Sequence, residues 1–209
     1  MGRSTGPKNK IARRFGINLG LKSNATKVAR RLGQPPGVHG PKKKAGSRSA
    51  SGFGKQLLEK QKAKFIYGLR EKQFRRYVEE STRVKGNSGV VLQQTLERRL
   101  DNTVYRAGYA ITRAQARQMV THGMFMVNGK PAKVASHLVD VGDVISLKPN
   151  KAKKKLFENI EDKLSKKDLP SWLMLDLANN SIKVTGKPGE SDLERNFDVK
   201  LIIEFYSSR

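Results

Sequence analysis

Arg113 and Arg117 stand four residues apart in TRAQARQMVTHG, a spacing that puts both on one face of a helix. That helix holds no acid to pair with them. An arginine without a carboxylate presents a planar fork of donors that takes two oxygens of one phosphate together. The chemistry these residues suggest is anion recognition, not bond-making. Arg98, Arg99 and Arg106 lie just upstream. The competing reading is an ordinary salt-bridged face. Glu97 adjoins Arg98 and Arg99, while Asp101, Asp140 and Asp143 lie elsewhere in the stretch 94–147. His122, near a helix C-terminus, also suits simple compensation of the helix dipole.

Two short helices and a hairpin-rich sheet must position these side chains. Leu96, Leu100 and Val104 recur every four residues and give the first helix its apolar face, with the arginines off it. After GYAI, Thr112 with Gln115 three residues on is a capping-box start, and Ala116, Met119 and Val120 form the buried stripe of the second helix. Gly123 is placed to stop it in the left-handed geometry. MFMV then leads to Asn128-Gly129, a strong hairpin signal, and VISL follows the Gly142-Asp143 turn as a later strand.

Charge sets the class of partner. The chain of 209 residues carries 43 Lys+Arg against 18 Asp+Glu, a formal +25 with a pI near 10.5. Such an excess favours a polyanion, because neutralising phosphates releases counterions. Nucleic acid fits better than an anionic membrane, and no apolar run is long enough to span a bilayer or to form a signal-peptide core. Without cysteine there are neither disulfides nor thiolate metal sites. A cytosolic protein is expected. His39, His122 and His137 are scattered, and no phosphate loop of the P-loop kind occurs. The sequence therefore predicts no active site, no cofactor, no metal and no small-molecule substrate.

Taken in order, residues 1–52 form a basic arm. Met1 to Leu58 holds no acid, while Lys and Arg occur fourteen times by Lys55. Frequent Gly and Pro argue against long regular elements there, although Ile11, Phe15 and Leu32 offer local apolar anchors. Such an arm either remains a solvated tail or orders against RNA. Residues 53–93 carry spaced apolars, Leu57, Leu58 and Phe65, then Leu69, Phe74, Tyr77 and Val78, as two amphipathic helices jointed at Gly68. Phe65, Tyr67, Phe74 and Tyr77 read as core, with base stacking the alternative. Residues 94–169 are the arginine-bearing module and a lysine-rich connector, KPNKAKKKLFENIEDKLSKK, partly helical around Leu156, Ile160 and Leu164. That connector suits phosphate contact and a solvated helix face equally. Residues 170–209 are nearly neutral, five basic against six acidic, and apolar enough to be packing surface. Within them β-branching favours a strand for LIIEFYS.

LERRLDNTVYRAGYAITRAQARQMVTHGMFMVNGKPAK resembles the RNA-binding module named after the fourth protein of the small ribosomal subunit, shared with pseudouridine synthases and some tRNA synthetases. RSTGPKNKIARRFG and PPGVHG, the EKQK…YG…EKQF run, PSWL and LIIEFYS extend the resemblance to that ribosomal family over nearly the full chain. It implies an α+β fold: a helical domain with an extended basic N-terminal arm, and an inserted small α/β RNA-binding module of two helices and a small, mostly antiparallel sheet. Residues 170–209 would fold back on residues 53–93, with LIIEFYS a terminal helix. Many members bind zinc through four cysteines in the arm; this chain has none, which rules out that knuckle.

By the same resemblance the partner is small-subunit ribosomal RNA, at a helix junction of its five-prime domain. The expected contacts are Arg3, Lys8, Lys10, Arg13, Arg14, Lys22, Arg30 and Arg31 in the arm and Lys55, Arg75 and Arg76 in the helical domain. The module would add Arg98, Arg99, Asn102, Tyr105, Arg106, Thr112, Arg113, Arg117, Gln118, His122 and Lys130. Lys42, Lys43, Lys44 and Arg48, just after PPGVHG, would line the path by which messenger RNA enters, or form a solvated charge run. The family also implies contact with the fifth small-subunit protein, nucleation of assembly, a part in decoding fidelity and possible repression of its own messenger. An RNA-modifying enzyme would need a catalytic domain that the rest of the chain does not supply. A nonspecific compactor would not need a cored module beside a neutral tail. On this reading Arg113→Ala with Arg117→Ala should weaken RNA binding without unfolding the chain.

Overall fold

The computed structural model describes residues 6–34, 36–37, 51–152, 154–158, 160, 164, 168–176 and 179–207. In chain order the helices are α1 (Lys8–Phe15), α2 (Ala25–Leu32), α3 (Gly52–Ile66), α4 (Glu71–Arg83), α5 (Ser88–Glu97), α6 (Leu100–Arg106), α7 (Arg113–Thr121), α8 (Pro149–Ala152) and α9 (Val199–Ser207). The strands are β1 (Phe125–Val127), β2 (Lys130–Ala132), β3 (Val144–Leu147), β4 (Leu173–Asp176) and β5 (Ser181–Val184). The chain divides into two compact units, one of Met1–Val91 with Glu194–Arg209 and the other of Leu92–Leu193.

In the first unit the described part of the arm, residues 6–34 and 36–37, carries two short helices, where the sequence predicts an extended arm without long regular elements. Gly16 ends α1 at φ +68, and the Asn24 side chain caps α2 by accepting from the Lys27 amide at 2.9 Å. Arg13 Nε donates to the Gln34 carbonyl at 2.7 Å, tying the two together over buried Ala12, Leu19 and Val28. The Phe15 ring lies 6.1 Å from that of Phe65. Glycine and proline limited helix length without preventing helices.

Ser51 caps α3, and Gly68 at φ +63 makes the expected joint before α4. Tyr67, Phe74 and Tyr77 are buried core. LIIEFYS lies in the helix α9, which packs on α3. Helical spacing puts Ile202 and Phe205 on one buried face, each contributing about 1.5–3 kcal/mol. At Gly89 a Cβ would meet Val199 Cγ1 at 2.8 Å, so any larger residue there would force the start of α9 to shift. Lys60, almost fully buried, is held by Glu71 at 2.8 Å and lies 4.4 Å from the Phe205 ring centre.

The second unit departs from the expected boundaries. Its sheet runs β2-β1-β3-β5-β4, with every pairing antiparallel. Residues 170–193 therefore belong to the module and not to the helical domain. The cause is alternation: Leu173 and Leu175 in β4, and Ile182 and Val184 in β5, carry on the inner face of Ile145 and Leu147, and Trp172 is buried beside them. From Glu194 on, the 170–209 segment belongs to the helical unit, with α9 packed on α3 and the Asp198 amide donating to Glu59 at 2.9 Å.

Two further differences are local. The apolar run of Leu96, Leu100 and Val104 is split between α5 and α6. Arg99 takes an extended backbone and bridges to Leu138, with Leu100 N–H donating to His137 O at 2.8 Å and Val139 N–H to Arg98 O at 2.9 Å. All three apolar residues remain fully buried. In the connector, Phe157 and not Leu156 joins Ile160 and Leu164 in the core.

The Glu71 carboxyl supplies a test of the α3–α4–α9 junction. Burial raises its pKa, but hydrogen bonds from Lys60, Tyr206 and Lys64 outweigh that and lower it from 4.5 to about 2. A depressed carboxyl stabilises the fold above pH 4.5, and that contribution disappears as pH falls towards 2. Its side chain is 45% exposed, so solvent screening limits the effect to about 1 kcal/mol. Glu71→Gln should lower the melting temperature by about 2–4 °C at pH 7, and the gap between the variant and the unsubstituted protein should narrow at pH 3.

Candidate nucleic-acid interface

Helix α7 carries Arg113 and Arg117, and its ends are built as the sequence predicts. Thr112 Oγ1 accepts from Gln115 N–H at 3.2 Å, while Gln115 Oε1 takes the amide of Ile111, one residue before the cap, at 2.9 Å. Gly123 at φ +64 closes the helix, its N–H donating to Val120 O at 2.8 Å and that of Met124 to Met119 O at 3.2 Å. Asn128 and Gly129 both have positive φ and turn the β1–β2 hairpin.

The arginines of the module are not unpaired. The acids missing from α7 arrive from the break between α5 and α6. Asp101 accepts from Arg99 Nε at 3.0 Å and Nη2 at 2.7 Å, and from Arg117 Nη1 at 3.2 Å. Arg99 is wholly buried and Arg117 nearly so. Glu97, also wholly buried, accepts the Arg106 fork at 2.7 and 2.8 Å and Asn102 Nδ2 at 2.7 Å, and stands 4.0 Å from Arg113 Nη2. Arg113 Nε donates to Asn102 Oδ1 at 2.7 Å, and its guanidinium lies 4.6 Å from the Tyr105 ring centre. Four guanidiniums thus gather around two carboxylates under a nearly closed surface. Arg98 is held by Val139 O and by Asp140.

Elsewhere the expected contacts fall into three groups. Lys10, Arg14, Lys22, Arg30, Arg31 and Lys55 are exposed, and Lys8 and Arg13 half-buried. Lys27 is exposed on α2 one turn before Arg31 and belongs with them; its i, i+4 spacing to Arg31 was the available signal. Arg75 and Arg76 are exposed but pair with Glu79 at 2.8 Å and Glu80 at 3.1 Å. Gln118, His122 and Lys130 are exposed on the module. Beside the β1–β2 hairpin an open groove is lined by Lys130, Lys133 and His137. Its Asp143 is engaged by Asn128 Nδ2 at 2.8 Å and by the Asp140 amide at 2.8 Å. Arg3, Lys42, Lys43, Lys44 and Arg48 lie outside the described residues.

Burial, helped by the charge of Asp176, pushes the Tyr109 phenol far above its ordinary range, so it stays neutral. Among the described residues no group of three His, Asp or Glu side chains could hold a metal ion, and no helix is long and apolar enough to cross a membrane. Two short helices on an antiparallel sheet, with arginines gathered at their junction, define an RNA-binding module, and comparison with known proteins agrees. Residues 98–145 match the S4 domain, and residues 3–97 match the ribosomal protein S4/S9 N-terminal domain.

The likeness to individual proteins runs the length of the chain. Small ribosomal subunit protein uS4 of Herpetosiphon aurantiacus is 47% identical over 212 residues, covering 99% of this chain and all of the relative. The uS4 proteins of Roseiflexus castenholzii and Aquifex aeolicus are each 45% identical, over 99% of this chain and 100% and 99% of their own lengths. The chain belongs to the uS4 family, a family of ribosomal structural proteins and not of enzymes.

The buried pairing reverses the stability expectation for the arginines. Removing Arg99 or Arg117 leaves Asp101 short of a partner in a dry site. Arg99→Ala should cost about 3–5 kcal/mol in urea unfolding, and Arg117→Ala somewhat less because the Arg99 fork remains. Arg30→Ala, on an exposed arm helix, should stay within about 0.5 kcal/mol of the unsubstituted protein.

Proposed function

We propose that the protein is a structural constituent of the small ribosomal subunit that binds small-subunit ribosomal RNA directly and works in the cytoplasmic ribosome. The observation that carries the RNA-binding part is the arm. Between Lys8 and Arg31 it holds eight cations and no acid, seven of them on two helices, and most of the eight are exposed. Each phosphate contact there releases counterions and adds to affinity without reading sequence. The module complements it differently. Its arginines are locked in place, so it offers a fixed positive shape suited to structured RNA, where A-form grooves hide base identity.

The finer reading rests on the family resemblance. The RNA site is a junction of the five-prime domain, and binding there nucleates assembly. The fifth small-subunit protein is a neighbour, and Lys42, Lys43, Lys44 and Arg48 line the path by which messenger RNA enters. A part in decoding fidelity and repression of its own messenger follow from the same resemblance.

Binding across a salt series tests the reading, using five-prime-domain RNA and an unrelated duplex of equal length. The domain RNA should be preferred, and the preference should survive rising salt; equal affinities that collapse together would leave only nonspecific attraction. Replacing Lys10, Arg14, Arg30 and Arg31 by Gln should leave melting unchanged and reduce the salt slope by about 3.

A further inference from the structure

We infer that Asn128 is a site of spontaneous modification that the fold holds closed, and that its conversion to aspartate or isoaspartate marks a chain whose module has come apart. Asn128-Gly129 is the only Asn-Gly pair in the sequence. Both residues are exposed at the tip of the β1–β2 hairpin. An asparagine followed by glycine is open to attack from its own chain, because glycine has no side chain to shield the backbone nitrogen or restrict its approach. That nitrogen, its proton lost to base, bonds to Asn128 Cγ as the Cγ–Nδ2 bond breaks, and Nδ2 leaves as ammonia. Water then opens the cyclic imide at one carbonyl to give aspartate, or at the other to give isoaspartate. The step needs no oxidant or reductant.

The structure opposes this step twice. Closing the ring requires Cβ and the Gly129 nitrogen to lie nearly eclipsed about the Cα–C bond of Asn128. Asn128 instead sits at φ +50, in the left-handed region, where ψ is about +30 to +60° and the two atoms are splayed apart. Its side chain is also held at both ends. Oδ1 accepts from the Val144 amide at 2.9 Å, and Nδ2 donates to Asp143 Oδ1 at 2.8 Å. The Asn128 N–H donates to Val144 O at 2.9 Å, so backbone and side chain grip the start of β3 together. Asp143 is itself fixed, since its Oδ2 accepts from the Asp140 amide at 2.8 Å. Cγ therefore reaches the Gly129 nitrogen only once Asp143 and Val144 let go. The product cannot remake the grip. Aspartate at 128 has no hydrogen to give Asp143 and sets a second negative charge against it. Isoaspartate adds a backbone atom to a two-residue turn and so disturbs the pairing of Val127 with Lys130.

The test compares rates. The full chain is held at mildly alkaline pH, folded in buffer and unfolded in guanidinium chloride. Peptide mass spectrometry and labelling by an isoaspartyl methyltransferase follow residue 128. Asn87-Ser88, whose second residue carries a side chain, is the comparison site in the same digest. Unfolded, Asn128 should convert ahead of Asn87. Folded, it should convert slower by about tenfold or more, the factor by which closed structure limits the open form. Asp143→Ala, shown folded by circular dichroism, should raise the folded rate several-fold. Asn128→Asp should lower the melting temperature by about 2–4 °C. These results together support the inference. A folded rate equal to the unfolded one overturns it, and so does a folded Asp143→Ala chain whose Asn128 lasts as long as in the unsubstituted protein. If Asp143→Ala does not fold, the ratio of folded to unfolded rates in the unsubstituted chain decides. An Asn128→Asp chain that melts with the unsubstituted protein would overturn the claim that the modified residue loosens the module.

Discussion

Glu97 is wholly buried and Asp101 nearly so, and both sit where α5 gives way to α6. A carboxylate taken out of water without partners is strongly unfavourable. The module meets that constraint with guanidiniums drawn from the strand-like break, from α6 and from α7. The break itself follows from the same need. Arg99 leaves the helix, bridges to Leu138 and turns its side chain back onto Asp101. A continuous helix through Glu97 and Leu100 would carry Arg99 past the acid. Packing of α7 against α6, the placement of Asn102 and the stacking of Tyr105 all depend on these pairs being made.

The same constraint divides the charge of the protein into different kinds. In the described part of the arm, most cations stand on α1 and α2 with no acid in the segment, suited to phosphate but blind to its arrangement. In the module, the arginines at the α6–α7 junction are held against internal acids in a rigid setting. On α4, Arg75 and Arg76 face glutamates one turn on and add little net field. A uniform coat of +25 would bind nucleic acid indiscriminately. Salt-sensitive attraction combined with a fixed basic shape suits recognition of one RNA fold.

The sheet gives the module its rigidity. Three strands lie within the matched S4 domain or end just beyond it, and β5 and β4 extend the sheet from much later in the chain. Ile182 lies opposite Ile145, and Leu175 opposite Ile182, so one apolar layer backs the helices. Phe157, Ile160 and Leu164 of the lysine-rich connector fill the same core, turning what reads as a solvated linker into a packed strap.

Much of this was legible in local pattern. Gly68, Gly123 and the Asn128-Gly129 turn stand where glycine or asparagine alone adopts positive φ cheaply, and each does so in the structure. The helices of 53–82, the α7 stripe and the VISL strand came from periodicity, because burial on one face needs no knowledge of the partner. The class of partner came from charge, and the family from motif. What the sequence could not decide was pairing between distant residues. Arg113 and Arg117 read as unpaired because no acid lies on their helix, yet Glu97 and Asp101 reach them from sixteen residues before each. Likewise β4 and β5 read as a tail for the helical domain, since two short apolar runs carry no mark of which sheet edge they complete. LIIEFYS, too short for its period to tell helix from strand, became a helix where Ile202 and Phe205 found α3 to bury against. Local propensity and charge are properties of the chain; which buried charge meets which, and which edge a strand joins, are properties of the packed structure alone.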